Sequence, residues 1–379
     1  MGQIISVSCK LEVPNDVTQR IDETLTSFAE ACNQILAAAQ EAHCYNTTQL
    51  HHMSYYSVRS TTGLKANHVC QAIRRVIGAL KAKKRVHKFR PTSLSLDART
   101  FEYREATLAV GITLRRCRVW LPLRIGNYQL ALLRGQRPTS AVLVKHRDGS
   151  YYIQIQVELN TPPTGKTPKV IGVDLGRRDI ATTSTGHAWS GAKLQACRAR
   201  FANTRESVQR KRTKSAKRLL RRLSGRERRF QKWVNHTISQ QLVREAVQTR
   251  AVIALEDLTG IRVRVKAKGP KQRREGHAWA FYQLRQFITY KAALAGVGLV
   301  LVNPAYTSQT CHQCLWIGKR TAKAFACSHC GWSGDADFNG ACNIAKLGAV
   351  VNQPAGSALF CSLNHSVQSI QVQSSLQTA

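Results

Sequence analysis

Apolar and polar positions change their period several times along the chain, and each change marks a different element. Residues 5–13 alternate: Ile5, Val7, Cys9, Leu11 and Val13 face one way and Ser6, Ser8, Lys10 and Glu12 the other, which predicts a half-buried strand. The spacing then lengthens to that of a helix, with Ile21, Leu25, Phe28, Cys32, Ile35 and Leu36 on one face. A second helix carries Val69, Ile73, Val76, Ile77 and Leu80. It runs into a basic tract, 81–90, that includes Lys81, Lys83, Lys84 and Arg85, and Pro91 is its predicted end. Short strands follow at Leu94/Leu96, Leu108/Val110/Ile112, Val119/Leu121 and 141–144. Asp148-Gly149 then predicts a tight turn into a strand over 151–158. Helices set between strands at 5–13 and 92–160 predict one β-barrel-like domain with a helical insertion.

Residues 161–168, Thr-Pro-Pro-Thr-Gly-Lys-Thr-Pro, read as a linker. After it, residues 170–176 form a buried strand run ending in Asp174 and Gly176, and 179–186 has the composition to pair with it as a hairpin. Residues 198–232 hold fifteen Lys and Arg against two Glu. Leu219, Leu223, Phe230, Val234, Ile238 and Leu242 lie at helical spacings through and beyond it, so the stretch predicts one long basic amphipathic helix. Two further apolar strands are predicted at 252–256, ending in Glu256, and at 296–302. From about 350 the chain turns rich in Gln and Ser and loses periodicity, which predicts a disordered tail over 350–379.

Charge changes the picture more than length does. The 57 Lys and Arg against 21 Asp and Glu leave a formal net charge of +36, a field that attracts polyanions. Hydrophobic residues make up 43% of the chain, too many for a disordered basic tail. No run of apolar residues is long enough to span a membrane, and the first residues lack the pattern of a secretory signal. Eight of the twelve cysteines are scattered without a framework, as in a reducing cytosol.

The other four cysteines form two knuckles, Cys311-His-Gln-Cys314 and Cys327-Ser-His-Cys330, twelve residues apart. Tetrahedral Cys₄ zinc sites use this spacing, and one structural zinc would fold a stretch too short to bury its own core. His312 and His329 lie inside the knuckles and read as facing solvent or nucleic acid, not metal. Asp174 and Glu256 stand at the ends of apolar strand runs, where an unpaired carboxylate is costly to desolvate. Asp337 follows the second knuckle, with Asp335 as a competing acid. Each acid alone reads more readily as a helix cap or turn residue, and the case for chemistry rests on the three together. Three that converge would repel one another unless divalent cations intervened; oxygen ligands and a phosphate substrate suit magnesium, and two ions can serve an in-line displacement.

Residues 170–176, 251–258 and 335–344 resemble the three motifs of the RuvC-type, RNase H-like α/β nuclease fold. The run Tyr306-Thr-Ser-Gln-Thr-Cys311, the paired knuckles and the closing Asp337-x-Asn339-Gly-Ala341-x-Asn343-Ile resemble the C-terminal signature of the TnpB family, RNA-guided DNA endonucleases of insertion sequences related to compact type V CRISPR effectors. The match covers residues 170–346. It implies a multidomain α+β architecture: a β-barrel-like wedge domain (1–15 and 92–165), a helical recognition domain (16–91), a RuvC-like nuclease domain (166–304 and 333–349) and a zinc ribbon (305–332). By position, Asp174, Glu256 and Asp337 match the catalytic acids that hold two magnesium ions, and Cys311, Cys314, Cys327 and Cys330 match the zinc ligands. Leu315 departs from the pattern, which has glycine after the first knuckle, and strain in that knuckle is expected.

The resemblance implies a guide RNA and a target double-stranded DNA as partners, and a cytoplasmic, nucleoid-associated setting in a prokaryote. Phosphate contacts are expected from Arg210, Lys211, Arg212, Lys217, Arg218, Arg221 and Arg222, and from Lys81, Lys83, Lys84 and Arg85. A second basic loop, 266–274, precedes Trp279, Phe281 and Tyr282, which read either as base-stacking groups or as core of the helix continuing through Leu284 and Ile288. The expected activity is RNA-guided, magnesium-dependent cleavage of DNA beside a short flanking motif. Two alternatives are a guide-binding repressor that does not cut and a structure-specific nuclease that needs no RNA.

Overall fold

The computed structural model describes residues 2–82, 86–165, 167–176, 178–258 and 281–352. Lys83, Lys84 and Arg85, the loop 266–274, Trp279 and the predicted tail beyond 352 lie outside the described residues. The chain forms two compact units, Met1–Asn160 and Thr161–Ala379. Among the described residues no helix is long and apolar enough to cross a membrane.

In the first unit, β1 (Gly2–Leu11) leads into α1 (Asn15–Glu41), α2 (Thr47–Thr62) and α3 (Ala66–Ala82). The chain then makes β2 (Ser93–Leu96), β3 (Phe101–Arg104), β4 (Ala109–Thr113), β5 (Arg118–Arg124), α4 (Asn127–Leu133), β6 (Ser140–Lys145) and β7 (Tyr151–Asn160). The alternation of β1 is realised, with Val7, Cys9 and Leu11 buried in a core shared with Ile21, Leu25, Phe28 and Ile73 of the helices. α2 escapes a periodicity reading because its buried stripe is half polar: Leu50, Ser54, Val58 and Thr62. Its ends are written in cap residues. Asn46 accepts from Thr48 N and Gln49 N, and Gly63 closes the helix at φ +61°.

The strands form one seven-stranded sheet in the order β2-β6-β7-β1-β5-β4-β3, and it does not close into a barrel. β2 and β3 follow one another in sequence yet occupy opposite edges. A turn at Asp97–Thr100 separates them, and β2 pairs with β6 while β3 pairs with β4. Asp97 O accepts from Thr100 N and Phe101 N, and Asp97 Oδ1 takes Arg99 N and Thr100 N. Thr100 O is bound by Thr113 N of β4, which continues the β3–β4 pairing into the turn.

The second unit holds β8 (Val170–Asp174), β9 (Asp179–Thr183), β10 (Ala188–Ser190), α5 (Ala192–Arg210), α6 (Lys214–Leu223), α7 (Arg226–Thr249), β11 (Val252–Glu256), α8 (Phe281–Leu294) and β12 (Leu299–Val302). A small three-stranded sheet follows, of β13 (Lys319–Thr321), β14 (Ala324–Ala326) and β15 (Ser333–Asp335), and α9 (Ala336–Asn352) ends the described chain. α9 extends through residues 350–352, which the composition assigned to the tail. The main sheet runs β10-β9-β8-β11-β12, with β8 antiparallel to β9 and parallel to β11, and β11 parallel to β12.

The stretch expected as one basic helix is three. Arg212 adopts φ +49° between α5 and α6, Thr213 caps α6 by accepting from Ala216 N, and Gly225 at φ +85° turns the chain into α7. With fifteen cations in this segment, repulsion leaves little to bridge such breaks, and the cap and the glycine set them.

Candidate active site and metal centre

The parity of two parallel strands decides which acids meet. Ile171, Val173, Ile253 and Leu255 pack with the apolar faces of α7 and α8. Val170 and Ala254 point the other way, onto Val302 and Ile344. Asp174 and Glu256 share the parity of this second set and follow directly on the last paired residues, Val173 and Leu255. Both carboxylates therefore leave the C-terminal edge of the parallel pair on the face covered by α9.

α9 lies close against that face because three glycines permit it. A β-carbon at Gly172 would fall 2.1 Å from Ala341 O, and one at Gly348 would fall 2.5 Å from Ala254 Cβ. At Gly340 it would stand 3.2 Å from Asp174 Oδ2. Asp337, in the first turn of α9, is thereby brought to the edge that carries Asp174 and Glu256.

Their electrostatics show one cluster. Burial, then the charges of Glu256 and Asp337, push Asp174 up to about 7. Burial also raises Glu256, opposed by a hydrogen bond from Thr307 Oγ1 and by Arg320. Asp337 is raised by burial and held back first by Arg320, whose Nη2 lies 2.8 Å from Asp337 Oδ1. Arg320, on the β13–β14 hairpin, is a cation common to all three acids. Nothing in its local sequence distinguishes it from other arginines. Thr307 is likewise invisible as a site residue, although it falls within the Tyr306–Cys311 signature. Asp335 plays a different part. Its Oδ1 accepts from Asp337 N at 2.8 Å and Phe338 N at 2.9 Å, capping α9.

An all-oxygen donor set in which Asp174 feels the charges of both other acids suits a hard divalent cation such as magnesium, although among the described residues only the four cysteines bring their ligand atoms to metal-binding spacing. Sulfur chemistry governs the second centre. The four ligand atoms of Cys311, Cys314, Cys327 and Cys330 lie within 4.8 Å of one another, with Sγ–Sγ distances of 3.6 Å for Cys311–Cys330 and 3.5 Å for Cys314–Cys327. A tetrahedron of thiolates about 2.3 Å from zinc has edges of roughly 3.8 Å, so the residues fit that ion. Backbone hydrogen bonds from Cys330 and His329 lower the Cys327 thiol towards the thiolate a metal requires, while burial and the neighbouring sulfurs push Cys330 the other way, as expected of thiols crowded together.

Both knuckles are built alike. Cys311 N donates to Trp316 O and Leu315 N to Cys311 O; Cys327 N donates to Trp332 O and Gly331 N to Cys327 O. The fifth position is left-handed in each, at φ +62° for Leu315 and +74° for Gly331. The departure noted in the sequence thus places leucine where the turn favours glycine. α9 fastens the first knuckle to the main sheet. Asn339 Oδ1 accepts from His312 N, and Asn343 Nδ2 donates to Thr307 O and Thr310 O.

The basic candidates separate into two kinds. Arg210 is ion-paired to Glu206 at 2.6 Å within α5. Lys211 and Arg212 occupy the exposed break after it, and Lys217, Arg218, Arg221 and Arg222 are exposed on α6. No acid among the described residues pairs with these four α6 cations. Lys81 is exposed in the last turn of α3. Of the aromatic pair that can be described, Phe281 is buried in the α7–α8 core and Tyr282 is exposed.

Comparison with known proteins bears on this arrangement. Residues 153–259 match a family model described as "Probable transposase" (OrfB_IS605), and residues 281–344 match one described as "Cas12f1-like, TNB domain". The chain is 34% identical over 158 residues to a TnpB-like protein of Methanocaldococcus jannaschii, covering 41% of this chain and 57% of that protein. It is 30% identical over 240 residues to the CRISPR-associated endodeoxyribonuclease Cas12f1 of Sulfoacidibacillus thermotolerans, covering 56% and 54% respectively. The chain thus matches about half the length of these curated relatives. In fold it resembles Cas12f1 in the solved Cas12f1–sgRNA–target DNA complex, with a TM-score of 0.65 at 13% identity over 88% of this chain and 83% of that one. It also resembles the mini-RNA-guided endonuclease CRISPR-Cas phi3, with a TM-score of 0.52 at 10% identity over 94% of both chains.

Proposed function

For this homologue of TnpB-like proteins and Cas12f endonucleases, we propose the function of an RNA-guided, magnesium-dependent DNA endonuclease. The observation that carries the reading is the convergence of Asp174, Glu256 and Asp337 on one face of the main sheet, each held above its ordinary pKa and all within the field of Arg320. Asp174, Glu256 and Asp337 would hold the metal, which when bound supplies Lewis-acid activation of water and stabilises the leaving oxygen of a phosphodiester. Cys311, Cys314, Cys327 and Cys330 would hold one structural zinc.

The chain's own groups have distinct roles. Asp174 must lose its proton to serve as a ligand; burial and the neighbouring acids favour that proton in the metal-free site, so metal binding would release it. Thr307 orients Glu256 by donating to Oε1. Arg320 balances the cluster's charge and offers a planar fork to a phosphate that displaces it from Asp337. The unpaired cations of α6 suit the phosphates of a guide–target duplex or an RNA scaffold, and Lys81 at the end of α3 adds to the basic surface of the first unit. In this reading the first unit comprises the wedge and recognition domains, and sequence choice comes from base pairing with the RNA beside a short flanking motif.

The test begins with RNA. Protein purified from its native host is treated with protease, and the released RNA is sequenced. The loaded protein is then given DNA complementary to that RNA, with randomised flanking positions, in magnesium and in chelator. A discrete RNA and magnesium-dependent cleavage are expected. Cleavage without any bound RNA would replace this reading with an RNA-independent nuclease. RNA and target binding without cleavage would replace it with a repressor.

A further inference from the structure

Tyr306 combines a strained backbone, an exposed ring and a position beside the carboxylate cluster. Its φ is +62°, in the left-handed region that crowds a β-carbon. Converging donors fix this conformation: Gln309 N and Thr310 N both reach Tyr306 O at 3.0 Å, and Thr310 Oγ1 reaches it at 2.9 Å. The next residue, Thr307, is only 3% exposed; it donates to Glu256, and its carbonyl accepts from Asn343 Nδ2 at 2.9 Å. The two neighbours therefore differ sharply in burial. Thr307 enters the cluster, while Tyr306, 66% exposed, stands at the rim. Consecutive α-carbons are about 3.8 Å apart, so the ring is rooted one residue from the group that orients Glu256.

Burial does not account for such a ring, and the backbone would be relaxed by glycine. Strain retained next to a functional site, where the surroundings over-determine it, points to a function for the side chain. The chemistry at hand names that function. The cluster and Arg320 are suited to a phosphate, and a planar ring at their rim is suited to the base attached to it. Aromatic stacking holds single-stranded nucleic acid in this way without regard to sequence.

We propose that Tyr306 is a substrate-positioning residue. Its ring stacks on a base of the single strand whose phosphate lies at Asp174, Glu256 and Asp337, and the left-handed backbone is kept because it aims the ring there. The inference rests on the nuclease reading above and adds a residue and a contact to it.

Tyr306→Gly, Tyr306→Asn and Tyr306→Phe in the full chain with its bound RNA test the idea. Gly and Asn both tolerate the left-handed region, so these variants should melt no lower than the parent. Both should raise KM for a single-stranded DNA substrate about tenfold, the lower end of what one base–aromatic stack contributes, with kcat changed less. Tyr306→Phe, which keeps the ring, should behave as the parent. A second readout uses binding alone: fluorescence anisotropy with oligodeoxynucleotides carrying one abasic residue at successive positions. The parent should lose affinity at one position flanking the scissile phosphate, and Tyr306→Gly should be insensitive there. Parental KM in both ring-less variants, or identical abasic scans for parent and Tyr306→Gly, would overturn the proposal. A parent that does not cleave yet shows the position-specific abasic loss, abolished in Tyr306→Gly, would keep the stack and remove the nuclease reading.

Discussion

Asp174→Asn should stabilise the metal-free protein while destroying its use of magnesium. The side chain keeps its shape and loses its charge, so the experiment isolates repulsion and desolvation. Folding lifts Asp174 from an ordinary 3.8 to about 7. The native state then binds its proton more tightly than the unfolded chain does. This contribution to stability is most favourable below the unfolded value, declines as pH rises from about 4 towards 7, and levels off above. A rise of about three units amounts to roughly 4 kcal/mol of destabilisation near pH 8, and to about 1.5–2 kcal/mol near pH 5. Urea denaturation in chelator should therefore show Asp174→Asn more stable than the parent by up to ~4 kcal/mol near pH 8, with the difference shrinking as the pH falls. Millimolar magnesium should stabilise the parent and leave the variant unchanged, because a cation relieves in the parent the repulsion that the variant lacks. Equal stability of the two proteins near pH 8 in chelator would refute the reasoning, since it would mean that Asp174 carries no electrostatic stress.

Three further outcomes follow from the same structure. Cys327→Ser should release zinc from a chain that otherwise binds one ion, read by elemental analysis, whereas Leu315→Gly should keep the zinc and stabilise the ribbon by about 1 kcal/mol by relieving the left-handed leucine. Replacing Lys217, Arg218, Arg221 and Arg222 together with Gln should weaken RNA binding and reduce the slope of log K against log salt by about 0.7–0.9 for each phosphate no longer neutralised; Arg210→Gln, which removes a charge already paired with Glu206, should change it less. Asp337→Ala should abolish cleavage with RNA binding intact, while Asp335→Ala should retain substantial cleavage and cost roughly 1 kcal/mol of stability through the missing helix cap; the reverse pattern in a cleavage assay would exchange the two assignments.

Much of the fold is legible in the sequence because its signals are local. Strict alternation marks β1, apolar runs mark β8, β11 and β12, and helical spacing marks α1 and α3. α2 escapes because Ser54 and Thr62 occupy two of its four buried positions, leaving only its cap residues as signals. The single long basic helix fails for a related reason: a left-handed Arg212 and the Gly225 turn interrupt a periodicity that apolar spacing alone carries across them. Barrel closure is what the order of strands predicts. It fails because, among the described residues, β2 pairs only with β6 and β3 only with β4, so the two end as the opposite edges of the sheet.

The sequence by itself determined the two cysteine knuckles and the strand ends carrying Asp174 and Glu256, because ligand spacing and side-chain parity are properties of neighbouring residues. Tertiary structure alone decided the electrostatic state of the site. Thr307 reaches Glu256 across 51 residues, and Arg320 reaches Asp337 across 17. Asp174 acquires its pKa of about 7 from burial and from acids on two other elements. Such effects depend on distance and dielectric in the folded chain. No reading of local pattern contains either.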